Sequence, residues 1–157
     1  MTNNTFNVAT FALFIIASFA AGLGGSWFTG SLTAHGFIAP MFAPPSWIFA
    51  PVWSTLYAMM GASAYFLMMA PKNKWKPLAM ALFSLQLVLN ALWTPIFFGA
   101  GDLIGSMYII IALLLTITAY TTITYPISKA ASWLFVPYVK WVAFAAVLNY
   151  GYVALNT

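Results

Sequence analysis

The sequence predicts an all-α integral membrane bundle of five transmembrane helices, forming a single domain over residues 1–157. Two observations carry this. Hydrophobic residues make up 64% of the chain and charged residues only 4%. The apolar residues also fall into five long runs, separated by short breaks rich in Gly, Pro and Lys. A water-soluble domain of this length still exposes a large area, and five basic residues with one acid are too few to keep this one dissolved. In a bilayer the same surface is solvated by lipid, and a span needs about 20 apolar residues.

The first run extends over about 6–28 and lacks the basic leader region of a secretory signal, so it reads as a retained helix. A Gly-, Ser- and Pro-rich loop, 29–45, follows. The second run, about 47–70, is entered through Pro44-Pro45, which suits a first helical turn. Pro51 should bend it slightly. Pro71-Lys-Asn-Lys-Trp-Lys-Pro77 is the one clearly hydrophilic connection. The third run covers about 78–98. Gly99-Ala-Gly-Asp102 then leads to the fourth, about 103–124. The fifth, about 133–155, places Pro137 in or near its first turn. Trp27, Trp47, Trp75 and Trp133 fall at predicted helix ends, where an interfacial aromatic belt accounts for them. Lys72, Lys74, Lys76 and Lys129 share one side with the N-terminus, and the other side carries His35 and Asp102. Positive residues favour the cytoplasm, so the expected orientation is N-terminus in and C-terminus out.

The reactive inventory is thin. There is no Cys, Glu or Arg, and Asp102 and His35 are single representatives of their types. A conventional metal site needs three or four ligands, and no such set can be assembled. Proton-coupled carriers normally place acids within their spans, and none lies there. Nucleic-acid binding would require a basic face, which five scattered lysines do not make. His35 reads as a loop residue, with axial ligation of a haem iron as the sharper alternative.

The chain is richer in aromatic and amide side chains set in helical register. Phe49, Trp53, Tyr57 and Gly61 recur four apart in the second run. Gln86, Asn90, Trp93 and Phe97 share a stripe on the third, and Tyr138, Trp141, Ala145, Asn149 and Tyr152 one on the fifth. An amide in a span must find a hydrogen bond, so Gln86, Asn90 and Asn149 should face inward and carry their aromatic neighbours with them. Two readings remain open at this level. The stripes can be helix–helix packing, or they can wall an apolar site for a flat ligand.

Pro44-Pro45-Ser-Trp47-Ile-Phe49-Ala-Pro51-Val-Trp53-Ser-Thr-Leu56-Tyr57-Ala-Met-Met60-Gly61 resembles the hallmark stretch of the TspO/MBR family, the tryptophan-rich sensory proteins and translocator proteins. Gln86-Leu-Val-Leu-Asn90-Ala-Leu-Trp93-Thr-Pro95-Ile-Phe97-Phe98-Gly99 is similar to that family's second block. Pro137-Tyr138-Val-Lys-Trp141-Val-Ala-Phe144-Ala145-Ala-Val-Leu148-Asn149-Tyr150 is similar to its third. The three blocks stand in family order on three of the five spans.

The resemblance implies a homodimeric five-helix bundle in lipid. It implies a receptor or carrier that binds porphyrins such as protoporphyrin IX or haem, sterols and benzodiazepine-type drugs, with no cofactor required. By position, it implies a site formed by Phe49, Ala50, Val52, Trp53, Tyr57, Asn90, Trp93, Trp141, Phe144, Ala145 and Leu148. Trp53 and Trp141 match tryptophans linked to porphyrin photochemistry in some bacterial relatives, so light-dependent porphyrin breakdown is one alternative and small-molecule transport another. Ala17, Ala21 and Gly25, four apart, would suit a close helix contact, either in a dimer or within one bundle.

Three departures stand out. The family's Trp-Tyr pair before the double proline is replaced by Thr33-Ala34. The C-terminal end of the fifth run has no basic residue to complete a cholesterol-recognition pattern. Lys140 stands where an apolar residue is typical. It can snorkel toward the lysine-rich side, or it can reach the cavity mouth and pair with a ligand propionate.

Overall fold

The structure, a computed structural model, describes residues 7–26 and 35–157. Thr33, Ala34 and Trp27 lie outside the described residues. Five helices run α1 Val8–Ser26, α2 Phe49–Met69, α3 Lys76–Thr94, α4 Leu103–Thr124 and α5 Lys129–Asn156, with no strand among the described residues. α4 has 22 residues, and about 1.5 Å per residue makes it long enough for a hydrocarbon core of about 30 Å. α5 and the segment Lys76–Gly99 are likewise long and apolar enough to span.

Packing closes the helices into a ring: α1 on α2, α2 on α5, α5 on α4, α4 on α3, and α3 back on α1. Gly61 makes the α1–α2 approach possible, because a Cβ there would meet the backbone of Ile15. Gly22 on α1 lies against the ring of Tyr57 in the same way. Ser18, one turn before Gly22, is fully buried, while Ala17 and Ala21 are half-buried.

Three boundaries differ from the sequence expectation, each for a local reason. Ser128 accepts a hydrogen bond from the Ala131 amide and caps α5 at Lys129, four residues before the apolar run begins. Pro137 therefore lies inside α5 rather than in its first turn. Pro51 falls in the first turn of α2, where its missing N–H leaves no helix bond broken, so no bend is needed. At Pro95 the regular ladder of α3 gives way to a wider π turn, Pro95–Gly99, closed by the Ala100 amide on the Pro95 carbonyl at 2.9 Å.

The lysine-bearing end is tightly filled. Phe83, Tyr120 and Phe135 interlock, with the Tyr120 and Phe135 centroids 4.2 Å apart. Ser63 donates to the Ala131 carbonyl at 2.7 Å, which leaves its oxygen to accept from the Tyr120 hydroxyl at 2.9 Å. Lys76 caps the end of α2 by donating to the carbonyls of Met68 and Ala70. Trp47, Trp75 and Trp133 are all exposed at helix ends.

Candidate functional site

The middle of the bundle is crossed by a hydrogen-bonded relay. Tyr57 on α2 donates to Asn90 Oδ1 at 3.0 Å, and Asn90 Nδ2 donates to the Tyr138 hydroxyl on α5 at 2.9 Å. One amide on α3 thereby ties α2 to α5, which is how a buried amide in a span meets its hydrogen-bonding requirement. Trp53 stacks on Tyr57 at 5.4 Å and meets Tyr138 edge-on. A second amide works nearer the other end. Asn149 accepts from Trp93 Nε1 at 3.1 Å and donates to the Leu103 carbonyl at 3.0 Å.

The aromatic set continues outward between α2 and α5. Phe49 meets Trp141 edge-on at 5.9 Å, and Trp141 tilts against Phe144 at 5.5 Å. Val52, Trp141 and Phe144 form part of the wall of an open groove of about 550 Å³, completed by Pro51, Thr55, Leu56, Met59, Pro137 and Lys140. Trp141 Nε1 is buried there with no acceptor among the described residues.

The residues singled out in the sequence therefore divide into groups. Tyr57 and Asn90 form the inner relay, with Trp53 stacked on it and Ala145 buried in the same core. Phe49, Val52, Trp141 and Phe144 flank the groove. Trp93 and Leu148 belong with a second cluster, where Trp93 stacks on Phe97 at 4.9 Å and Phe97 meets Tyr152. Ala50 is exposed at the start of α2 and stands apart from these groups.

Three residues outside that group matter as much. Tyr138 is fully buried and closes the relay; its place on the α5 stripe was the available signal. Gln86, also fully buried, has no partner for either amide atom among the described residues. Asn156 holds the loop over the end of α5 by accepting from the Ile38 amide at 2.7 Å and donating to the Ile38 carbonyl at 3.0 Å. Nothing in the periodicity marked it. His35 lies over Gly101, while the Asp102 carboxylate caps α4 through the Gly105 amide at 2.7 Å. No group of His, Asp or Glu suited to a metal ion occurs among the described residues.

An all-helical bundle with spans of this length and an interior of indoles, phenols and amides defines an integral membrane protein of the polytopic helical class. Within that class the TspO/MBR family model matches residues 13–155, and the chain belongs to this family. It is 34% identical to protein CrtK of Rhodobacter capsulatus over 151 residues, covering 96% of this chain and 94% of the relative. It is 35% identical to the human translocator protein over 147 residues, covering 87% of this chain and 79% of the relative. The tryptophan-rich sensory protein of Cereibacter sphaeroides is 31% identical over 150 residues, with 92% of both chains covered.

Proposed function

We propose that this membrane protein is a receptor or carrier for tetrapyrroles such as protoporphyrin IX and haem, with sterols or benzodiazepine-type drugs as further ligands of the same surface. The observation that supports this best is the run of rings Phe49, Trp141 and Phe144 beside the stacked Trp53–Tyr57 pair. Broad π faces next to a few fixed polar groups suit a flat ligand that stacks. The pigment is cargo in this reading, and no resident cofactor is invoked. Titration of the purified protein with protoporphyrin IX, followed by indole quenching, tests it directly. Saturable quenching that weakens in Trp53→Ala and Trp141→Ala supports the proposal, and quenching equal in both variants and the parent would remove it.

A second reading draws on the Trp53–Tyr57 stack, which joins two oxidisable rings at 5.4 Å. In this reading dioxygen takes up the electrons lost by a photoexcited porphyrin as its ring is oxidised, and Trp53 with Trp141 relays single electrons between pigment and oxygen. Illumination in air and under nitrogen separates the readings: a new absorbing product formed only in light and air means breakdown, and unchanged pigment means binding alone. Pigment flux across sealed vesicles would reveal transport. We further propose a homodimer with the N-terminus and the lysine-rich end on the cytoplasmic side. Four lysines at that end favour this orientation by the positive-inside rule.

A further inference from the structure

Lys140 is the chain's one cation well inside a span. Because α5 begins at Lys129, Lys140 lies three turns into the helix, roughly 16 Å along its axis at 1.5 Å per residue. With 28 residues α5 is longer than a hydrocarbon core of about 30 Å, so its first turn, which bears Lys129, extends beyond the core and Lys140 lies correspondingly nearer the interface. Helical side chains tilt toward the N-terminus, so its stem leans toward the lysine-bearing end, and it ends in the groove between α2 and α5. An ammonium left in hydrocarbon is costly.

The chain offers it no counter-ion. Asp102 is the only acid. It is engaged at the start of α4, level with Asn149, because Asn149 bonds the neighbouring Leu103 carbonyl. Asn149 lies about 14 Å further along α5 than Lys140. Lys76 finds two backbone carbonyls, whereas Lys140 finds no acceptor among the described residues. Lys140 is exposed, and it lines the α2–α5 groove beside Trp141, whose buried N–H also lacks an acceptor. Lys140 is thus the one charged group in a groove otherwise walled by the faces of Trp141 and Phe144, by Pro51, Val52, Leu56, Met59 and Pro137, and by Thr55, whose hydroxyl donates to the Pro51 carbonyl.

We propose that this groove is a lateral docking site for the carboxylate arm of the flat ligand, with Lys140 as the residue that selects acids over neutral analogues. The inference rests on the tetrapyrrole reading above and adds a charge requirement to it. The ligand's apolar ring lies against Trp141 and Phe144, and its carboxylate meets the ammonium in a medium where charge pairing is strong. A porphyrin acid brings both parts, and a sterol brings no charge. The groove is open and Lys140 is exposed in it, so an occupant reaches it from outside the bundle.

The test uses the full-length protein in nanodiscs of neutral lipid, with protoporphyrin IX and its dimethyl ester as probes read by indole quenching. The parent should bind the acid more tightly than the ester. Lys140→Met should weaken the acid by about tenfold, the scale of one hydrogen bond to a charged group, and leave the ester unchanged. Lys140→Arg should retain the preference for the acid. Equal losses for acid and ester in Lys140→Met would overturn the inference by showing a packing defect. No loss for either would overturn it by leaving the lysine idle. In both cases binding by the parent would leave the tetrapyrrole reading standing. A parent that binds neither pigment would end both proposals.

Discussion

At the lysine-bearing end of the bundle, Phe83, Tyr120 and Phe135 fit ring against ring, and Met60, Leu67 and Ile117 are wholly covered. Between mid-bundle and the opposite end, Trp53, Trp93, Trp141 and Phe144 each keep part of their surface open, although they too touch other rings. Both regions are aromatic, so composition does not separate them. What separates them is closure. In the first, α2, α3, α4 and α5 all contribute to one packed layer, and Ser63 binds Tyr120 and the α5 backbone together. In the second, α2 and α5 are tied through the Asn90 relay on their inner side and splay into a groove on their outer side. One half holds the bundle together while the other keeps rings available.

The comparison breaks first where packing is tightest. Phe135→Ala should destabilise the protein by about 3–5 kcal/mol, since a fully buried ring would leave a cavity that four helices cannot collapse. Thermal unfolding in detergent measures this, and a change below about 1 kcal/mol would mean that the sealed half is not the stabilising one.

The relay should be next. Asn90→Leu removes the acceptor of Tyr57 and the donor to Tyr138 together, and each buried hydroxyl left unpaired costs about 1–3 kcal/mol. The same variant should loosen the α2–α5 contact and raise amide exchange in both helices, a readout that separates loss of the tie from loss of volume.

Trp53→Ala should act chiefly on binding. Removal of a half-buried stacking ring is expected to weaken protoporphyrin affinity by about 1–3 kcal/mol, with a smaller loss of thermal stability than Phe135→Ala. If Trp53→Ala instead unfolds the protein as readily, the open half carries structure in the same way as the closed one.

The smallest effect belongs to Gln86. Its two unpaired amide atoms sit in a fully buried position one turn from Asn90. Gln86→Leu should raise stability by about 1 kcal/mol, because an unsatisfied buried amide is replaced by an apolar group of similar volume. A fall in stability would reveal a water molecule or ligand atom that the amide normally holds.

The amino-acid sequence by itself determined the membrane-helical class, since so few charges can be solvated only by lipid. It also determined which faces turn inward. The placement of Gln86, Asn90 and Asn149 on stripes with tryptophans followed from the demand that a buried amide be bonded, and Asn90 and Asn149 are bonded as that demand requires. Periodicity assigns a face, however, and not a partner. Only the tertiary structure decided that Asn90 joins Tyr57 to Tyr138 while Gln86 finds no partner among the described residues, because those distances depend on where α2, α3 and α5 cross. Only it separated Trp93, held by Asn149, from Trp141, which borders a groove. The start of α5 was hidden for a related reason. The segment Lys129 to Ser132 read as loop after Pro126 and Ser128, whereas the Ser128 cap and packing against α4 make it the first turn of α5.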